Sequence, residues 1–90
     1  MRDIVPTTQF RRDAKRIQKR GQDLGELREV ARRIAAGDML EARHRDHKLA
    51  GEYSGFRECH IRPDCLLIYQ ITDEVLLLVR TGTHQDLFDE

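Results

Sequence analysis

The chain has 90 residues, 39% of them hydrophobic, and its 16 Lys and Arg residues balance its 16 Asp and Glu residues. This length predicts one compact domain over residues 1–90, because it leaves no room for a second hydrophobic core. No stretch approaches the roughly 20 apolar residues that span a bilayer, and the N-terminus lacks the apolar run of a secretory signal. We therefore expect a cytoplasmic protein that does not bind membranes, with Cys59 and Cys65 present as thiols.

The charges are unevenly distributed along the chain. Residues 1–50 hold 13 Lys and Arg against 8 Asp and Glu, whereas residues 51–90 hold 3 against 8. Zero net charge excludes a uniformly basic nucleic-acid binder, but a neutral molecule can still present a basic face to a phosphate backbone. A solvated helical surface would produce the same pattern, so the charges alone leave both interpretations open.

The first predicted element is a strand from Arg2 to Pro6, which ends at the proline because proline cannot donate a ladder hydrogen bond. Such a strand belongs at the edge of a sheet. A helix then begins at Thr7 or Thr8 and ends at Gly21, with apolar residues recurring at spacings of four and three. These residues are Phe10, Ala14 and Ile17.

A second helix is predicted from about Leu24 to Ala36, with one apolar face and Gly37 in position to cap its C-terminus. A short turn separates the two helices, so we expect a helical hairpin whose apolar side packs on a sheet. Residues 38–54 show no sustained period and are rich in charged residues. We predict a long polar loop there, and loops of that length in compact domains are often functional.

Three strands follow the loop, from Gly55 to Ile61, from Cys65 to Ile71 and from Val75 to Thr81, with polar turns between them. The strand from Cys65 to Ile71 is apolar at nearly every position and should form the centre of the sheet. A short tail ends the chain. The predicted fold class is α+β: an N-terminal edge strand, a helical hairpin and a three-stranded antiparallel meander, forming one small sheet packed on the helices.

Four histidines are candidates for chemistry, and all of them follow residue 43. Histidine titrates near neutrality, so two of them can act as base and acid in one reaction. RNA cleavage needs such a pair, because the 2′-hydroxyl loses a proton and the departing 5′-oxygen gains one, while cations stabilise the phosphate. The residues of the required chemical types are His47, His60, His84, Asp64, Arg57 and Arg80.

Two other interpretations compete with this one. A single histidine is more often a surface residue or a satisfied core group than a catalyst. A metal site of Cys59, His60, Cys65 and His84 would have a spacing that matches no zinc pattern, and adjacent strand residues face opposite ways. We therefore expect no metal and no cofactor. Strand alternation also places Glu58 on the same face as His60, away from Cys59.

Three sequence blocks carry a resemblance to a known family. Residues 46–64 read Asp-His-Lys-Leu-Ala-Gly-Glu-Tyr-Ser-Gly-Phe-Arg-Glu-Cys-His-Ile-Arg-Pro-Asp, residues 67–69 read Leu-Ile-Tyr, and residues 80–88 read Arg-Thr-Gly-Thr-His-Gln-Asp-Leu-Phe. These blocks resemble the YafQ-type branch of the RelE/ParE toxins, and the resemblance extends over the N-terminal hairpin. It implies a RelE-like fold with a small sheet packed on the two helices.

The resemblance implies a catalytic set by motif position: His47, His60, Asp64, His84 and Phe88. We assign His84 as the general acid and His47 as the general base, with His60 and Asp64 orienting or sharing those roles. Phe88 follows the last histidine closely and could stack on an unpaired base.

Four further residues need a separate assignment. Arg57 and Arg80 could bind the scissile phosphate, or each could pair with an acidic neighbour inside the fold. His44 does not match the family motif and is interpreted as an ordinary loop residue. Cys65 stands where the family pattern has tryptophan, which removes a base-stacking side chain from that position.

By resemblance, the chain is a toxin of a type II toxin–antitoxin system, a metal-independent, ribosome-dependent endoribonuclease that cleaves mRNA in the A site by 2′-hydroxyl attack with histidine acid–base catalysis. The expected partners are a cognate antitoxin, the ribosome and mRNA, with operator DNA bound by the antitoxin complex. The alternative is a toxin of the same fold that binds a protein target such as DNA gyrase without nuclease activity. Such a protein would not need the histidine set.

Overall fold

A computed structural model of the chain describes residues 1–88, so the last two residues of the predicted 1–90 domain lie outside the described residues. The elements confirm the predicted α+β class, with a helical hairpin followed by a meander. In chain order they are β1 (Asp3–Pro6), α1 (Thr8–Lys19), α2 (Gly25–Ala35), β2 (His47–Lys48), β3 (Arg57–Arg62), β4 (Cys65–Ile71), β5 (Val75–Gly82) and α3 (His84–Phe88). Among them, no helix is long and apolar enough to cross a membrane.

The five strands form one sheet in the order β1-β5-β4-β3-β2. Strands β3, β4 and β5 make the predicted antiparallel meander, and β1 pairs in parallel with β5 at one edge. The central position of β4 is confirmed. Leu66, Leu67 and Ile68 are fully buried in succession, because this strand is covered on both faces.

The two faces of the sheet have different roles. One face, which we call the helix face, packs on the hairpin and includes Cys59, Leu67 and Tyr69. The opposite face carries a smaller apolar cluster around Leu66 and Ile68, with α3 packed against it. We call this second face the open face, because α1 and α2 pack on the other side.

The predicted loop over residues 38–54 contains regular structure that the sequence did not indicate. Two short 3₁₀ turns, Ala42–His44 and Gly51–Tyr53, flank the two-residue strand β2. Strand β2 pairs with β3, placing His47 opposite Glu58 and Lys48 opposite Arg57. A strand of two residues has no detectable period of its own, so only its pairing with β3 reveals it.

The ends of two other elements also differ from the prediction. Strand β3 begins at Arg57 instead of Gly55, because Gly55 has a φ of +95° that interrupts an extended strand. The predicted tail contains the short helix α3. Thr83 and Asp86 cap this helix reciprocally, since each backbone N–H donates to the other's side chain, at 3.0 Å and 3.1 Å. This is a capping box, a signal present in the sequence.

A buried carboxylate connects α1 to β5. Asp13 lies on the apolar stripe of α1 and is fully buried. Its side chain accepts hydrogen bonds from Arg80 Nε at 2.8 Å, Arg80 Nη2 at 3.1 Å and the Thr81 N–H at 3.2 Å. Gln9 and Arg16 of α1 donate to the same carboxylate. Burial raises the pKa of Asp13, but these hydrogen bonds outweigh it and hold the pKa below its ordinary value.

Replacing Asp13 with alanine should destabilise the fold by roughly 3–5 kcal/mol, because Arg80 then loses its carboxylate partner in a largely buried position. Because the folded-state pKa of Asp13 is lowered, its contribution is complete above about pH 4. The contribution is lost as the pH falls through the folded-state pKa. Urea denaturation from neutral to acidic pH measures both effects. The exposed Asp73→Ala is the control and should cost less than about 0.5 kcal/mol; equal stability of the two variants at pH 7 would contradict the prediction.

Candidate active site

Three of the four histidines come together on the open face of the sheet. His47 lies on β2 directly opposite Glu58 of β3, and His60 lies two residues further along β3, on the same face as Glu58. His84 begins α3, and its ring lies 5.7 Å from the His60 ring between centroids, inclined at 67°. Three separate elements therefore supply the predicted histidines to one surface.

The sheet register explains why His84 meets His60. On β4, Leu66 pairs with His60 on one side and with Gly82 on the other. The chain leaves β5 at Gly82 and turns into α3 within two residues. The end of β5 is thus fixed one strand away from His60, and the first residue of α3 lies against it.

Glu58 lies between His47 and His60 and was not assigned a role from the sequence. Its Oε1 is 3.6 Å from Nε2 of each ring, and the residue is only 5% exposed. These distances are longer than hydrogen bonds, so Glu58 approaches each ring as a charge and not as a hydrogen-bond partner. Strand alternation had already placed Glu58 on the His60 face, and that was the signal from which its role could have been inferred.

A hydrogen bond sets the tautomer of His47, and burial shifts the pKa of His60. The Nδ1–H of His47 donates to the carbonyl oxygen of Arg45 at 2.6 Å, which leaves Nε2 free to take a proton. Burial lowers the pKa of His60, opposed by the charge of Glu58 and reinforced by His84, Arg45 and His47. His60 is thereby biased towards its neutral form.

Asp64 is the acidic partner of His84. It lies in the turn between β3 and β4, and its Oδ1 is 3.6 Å from His84 Nδ1. The Asp64 side chain is largely exposed and that of His84 partly exposed, so water screens the pair and it adds little to stability. The Nδ1 atom of His84 thus faces Asp64, and Nε2 is the ring nitrogen directed away from this carboxylate.

Neither predicted phosphate-binding arginine lies free beside the histidines. Arg57 alternates with Glu58 on β3 and donates to Asp46 at 3.0 Å, while the Tyr69 hydroxyl donates to the same carboxylate at 2.7 Å. Arg80 is bound to Asp13. Each arginine therefore pairs with an acidic neighbour inside the fold, which was the alternative to binding phosphate. This placement does not support the predicted phosphate contacts.

A different arginine lies near the site. Arg45 is exposed, is close enough for its charge to lower the pKa of His60, and positions His47 through its carbonyl group. No pattern in the charged loop distinguishes Arg45 from its neighbours. Its backbone has a φ of +46°, in the left-handed region that non-glycine residues seldom adopt.

Phe88 belongs to an aromatic patch on the open face. Its ring contacts Tyr53 edge-to-face at 5.9 Å, and Tyr53 contacts Phe56 in the same way at 6.3 Å. All three are partly buried against the cluster around Leu66 and Ile68. The patch and the histidines therefore share one face of the sheet.

The interpretation of His44 as an ordinary loop residue is wrong. His44 is buried, with 3% exposure, and its Nδ1–H donates to the carbonyl oxygen of His60 at 2.6 Å. It fastens the turn before β2 to β3 and thereby supports the backbone that carries His60. Its Nε2 is buried 3.2 Å from Oε2 of Glu41. Burial and the Nδ1 hydrogen bond make His44 a structural residue, which motif mismatch alone could not show.

The two cysteines lie apart from this chemistry. Cys59 and Cys65 are free and buried on the helix face, and burial raises the pKa of Cys59 to about 12. Cys65 therefore does not replace the family's tryptophan as a stacking surface. Within residues 1–88, no group of three or more His, Cys, Asp or Glu side chains is arranged to hold a metal ion.

Comparisons with known proteins agree over nearly the full chain. Residues 2–89 match the family described as "Bacterial toxin of type II toxin-antitoxin system, YafQ". The chain is 40% identical over 88 residues to "mRNA interferase toxin YafQ" of Escherichia coli strain K12, covering 97% of this chain and 96% of that protein.

Two solved structures are similar to the fold. A chain of the E. coli DinJ-YafQ toxin-antitoxin complex is 40% identical with a TM-score of 0.87, over 97% of both chains. A copper-bound mutant toxin from Helicobacter pylori is 35% identical with a TM-score of 0.92, over 98% of this chain and 100% of that one.

Replacing Glu58 with glutamine should lower the pKa of His60 further, because the substitution removes the charge that opposes the effect of burial. Side-chain NMR titration of the histidine rings measures this shift. Glu52→Gln is the matched control, since Glu52 is exposed in the Gly51–Tyr53 turn and should leave the His60 titration unchanged. An unaltered His60 pKa in Glu58→Gln would show that Glu58 does not govern that ring.

Proposed function

This chain belongs to the YafQ family of toxins from bacterial type II toxin–antitoxin systems, and from that membership and the site geometry we propose that it is an mRNA interferase. In this proposal it is an endoribonuclease that cleaves mRNA in the ribosomal A site by histidine acid–base catalysis. The observation that carries the proposal is the convergence of His47, Glu58, His60 and His84 on one sheet face. A toxin that only binds a protein target such as DNA gyrase has no use for that arrangement.

The first chemical step is attack by the ribose 2′-oxygen on the adjacent phosphorus. Nε2 of His47 takes the 2′-hydroxyl proton, because Nδ1 already carries the proton that is donated to Arg45. Glu58, 3.6 Å from Nε2, stabilises the imidazolium that results. The neutral His60 ring faces the other side of the same carboxylate and can share the role of base.

The bond from phosphorus to the 5′-oxygen then breaks. His84 donates a proton to the departing oxygen, and Asp64 beside Nδ1 stabilises the protonated ring before transfer. The products are a 2′,3′-cyclic phosphate and a free 5′-hydroxyl, with one proton taken and one returned. No metal ion is required for this balance, and we propose that the reaction is metal-independent.

Substrate recognition is divided between a cation and the aromatic patch. Arg45 is an exposed cation near the histidines and would stabilise the charged phosphate. Phe88, held by Tyr53, presents a partly exposed ring on which an unpaired base can stack. Arg57 and Arg80 are ion-paired to Asp46 and Asp13, and in this proposal they stabilise the fold and do not bind RNA.

The ribosome is the proposed source of most of the RNA affinity. Residues 51–90, which supply most of the site, hold 3 Lys and Arg against 8 Asp and Glu. Such a surface binds a bare phosphate backbone poorly. A ribosome that presents the codon would supply the missing orientation, which also places the activity in the cytoplasm.

The proposed regulatory partner is a cognate antitoxin, as in the E. coli DinJ-YafQ complex. The outer surface of α1 carries exposed cations, including Arg11, Arg12 and Lys15. An acidic antitoxin segment that orders on binding would complement them. The complex, through the antitoxin, is proposed to bind operator DNA.

Expression of the chain without an antitoxin should arrest growth and cleave translated transcripts, because the ribosome positions the codon at the histidines. Sequencing of 5′ ends should show cuts in phase with the reading frame, with ends that ligate only after phosphorylation of their 5′-hydroxyls. A transcript with its start codon removed is the matched control. Cleavage of purified RNA at a comparable rate, without phase, would contradict the ribosome requirement.

Replacing His47 or His84 with glutamine should lower the cleavage rate by roughly 10²–10⁴, the usual contribution of one positioned acid or base. The wild-type rate should also change with pH, because the base must be neutral and the acid protonated for the reaction to proceed. Single-turnover cleavage on programmed ribosomes measures both. Toxin freed of transition metals with a chelator and then returned to assay buffer should keep its full rate.

The control for these variants is Gln85→Ala, an exposed substitution on α3 beside His84. His44 cannot serve as control, since it is buried and bonded to the His60 carbonyl. A wild-type rate in His84→Gln, in protein with wild-type circular dichroism, would refute the assignment of the acid. Loss of activity on metal removal would refute metal independence.

A further inference from the structure

The helix that carries His84 is too short to be stable alone. Helix α3 has five described residues, His84–Phe88, whereas isolated helices below about 12 residues are marginal in water. Its position must therefore be imposed by neighbouring elements. Leu87 packs into the open-face cluster with Phe88 against it, and Asp86 makes the side-chain hydrogen bonds that join α3 to Thr83 and Arg20.

Asp86 fixes α3 in two ways. Its carboxylate accepts the Thr83 N–H at 3.0 Å and closes the capping box at the first turn. The same carboxylate is held from α1 by both terminal nitrogens of Arg20, with Nη1 at 2.8 Å from Oδ2 and Nη2 at 3.1 Å from Oδ1. Arg16 approaches to 3.8 Å. The Arg20 hydrogen bonds lower the pKa of Asp86, so it remains ionised through the working pH range.

Gly82 shows how closely α3 returns to β5. Its φ of +154° suits glycine, and a Cβ at this position would lie 2.9 Å from both Cβ and Oδ2 of Asp86. Such a contact is shorter than side chains tolerate. The turn between β5 and α3 therefore accepts only glycine while Asp86 keeps its place against Arg20.

We propose that Arg20 and Asp86 are positioning residues for His84, a role that rests on the proposed function. The bidentate pair joins the C-terminal end of α1 to α3 and sets where the His84 ring lies relative to His60. A displacement of about 1 Å at a reacting group can cost about 10²-fold in rate. The two residues act through the placement of the acid and do not touch RNA.

An ordinary surface ion pair would behave differently. Exposed pairs contribute about 1 kcal/mol or less, and removing one should leave the reaction unchanged. Arg32 and Glu29 on α2 form such a pair, with both side chains more than half exposed. Arg32→Ala is thus the matched control for Arg20→Ala.

The experiment measures ribosome-dependent cleavage in Arg20→Ala, Asp86→Asn, His84→Gln and the double variant Arg20→Ala/His84→Gln. Each of the first two should lower kcat by about 10-fold to 10²-fold with KM near wild type. The double variant should be no slower than His84→Gln alone, because Arg20 has no acid left to position. Arg20→Lys should recover part of the rate, and Arg32→Ala should match wild type.

Several results would overturn this role. A wild-type cleavage rate in Arg20→Ala would do so. The same decrease in rate from Arg20→Ala in the wild-type chain and in the His84→Gln variant would also do so. A rise in KM for Arg20→Ala with tighter binding in Asp86→Asn would identify Arg20 as a direct RNA contact. Failure of the proposed function can be distinguished from failure of the positioning role, because the former appears as a wild-type rate in the single variant His84→Gln. If Asp86→Asn does not fold, the Arg20→Ala and Arg20→Lys variants still test the positioning role, because Arg20 is exposed.

Discussion

The hydrogen-bonded register across β3, β4 and β5 is the constraint on which the site depends. Leu66 lies between His60 and Gly82, so the chain that leaves β5 enters α3 beside the His60 ring. A slip of one residue would turn His60 to the helix face and bring Cys59 into its place. The fully buried side chains along β4 oppose such a slip, because a one-residue shift exchanges the two apolar faces.

The sheet separates stability from chemistry by face. The helix face packs on the hairpin and contains the larger apolar core. The open face combines a small apolar cluster with charged and titratable groups, which helices would otherwise cover. Helix α1 joins the two, because it anchors β5 through buried Asp13 and α3 through Arg20. The Asp13–Arg80 pair and the Arg20–Asp86 pair thus link the core to the site.

Charged side chains were the hardest to assign without the tertiary structure. Arg57 and Arg80 belong to the family motif, yet each is bound to a carboxylate outside its own strand, Arg57 to Asp46 and Arg80 to Asp13. His44 lies outside the motif and is nevertheless buried in a structural hydrogen bond. Residue type and motif position indicate the roles that a side chain can have. The groups that it contacts in the folded protein determine which of these roles it has.

The sequence by itself determined the α+β class, the central position of β4, the helical hairpin and the histidines that could act together. Those features depend on local periodicity, turn residues and a long motif, all of which lie within short stretches of chain. The tertiary structure decided the pairing of β2 with β3, the position of Glu58 between two rings and the attachment of α3 to α1. These depend on residues far apart in sequence whose contacts exist only after the sheet has closed its register, so no local pattern encodes them.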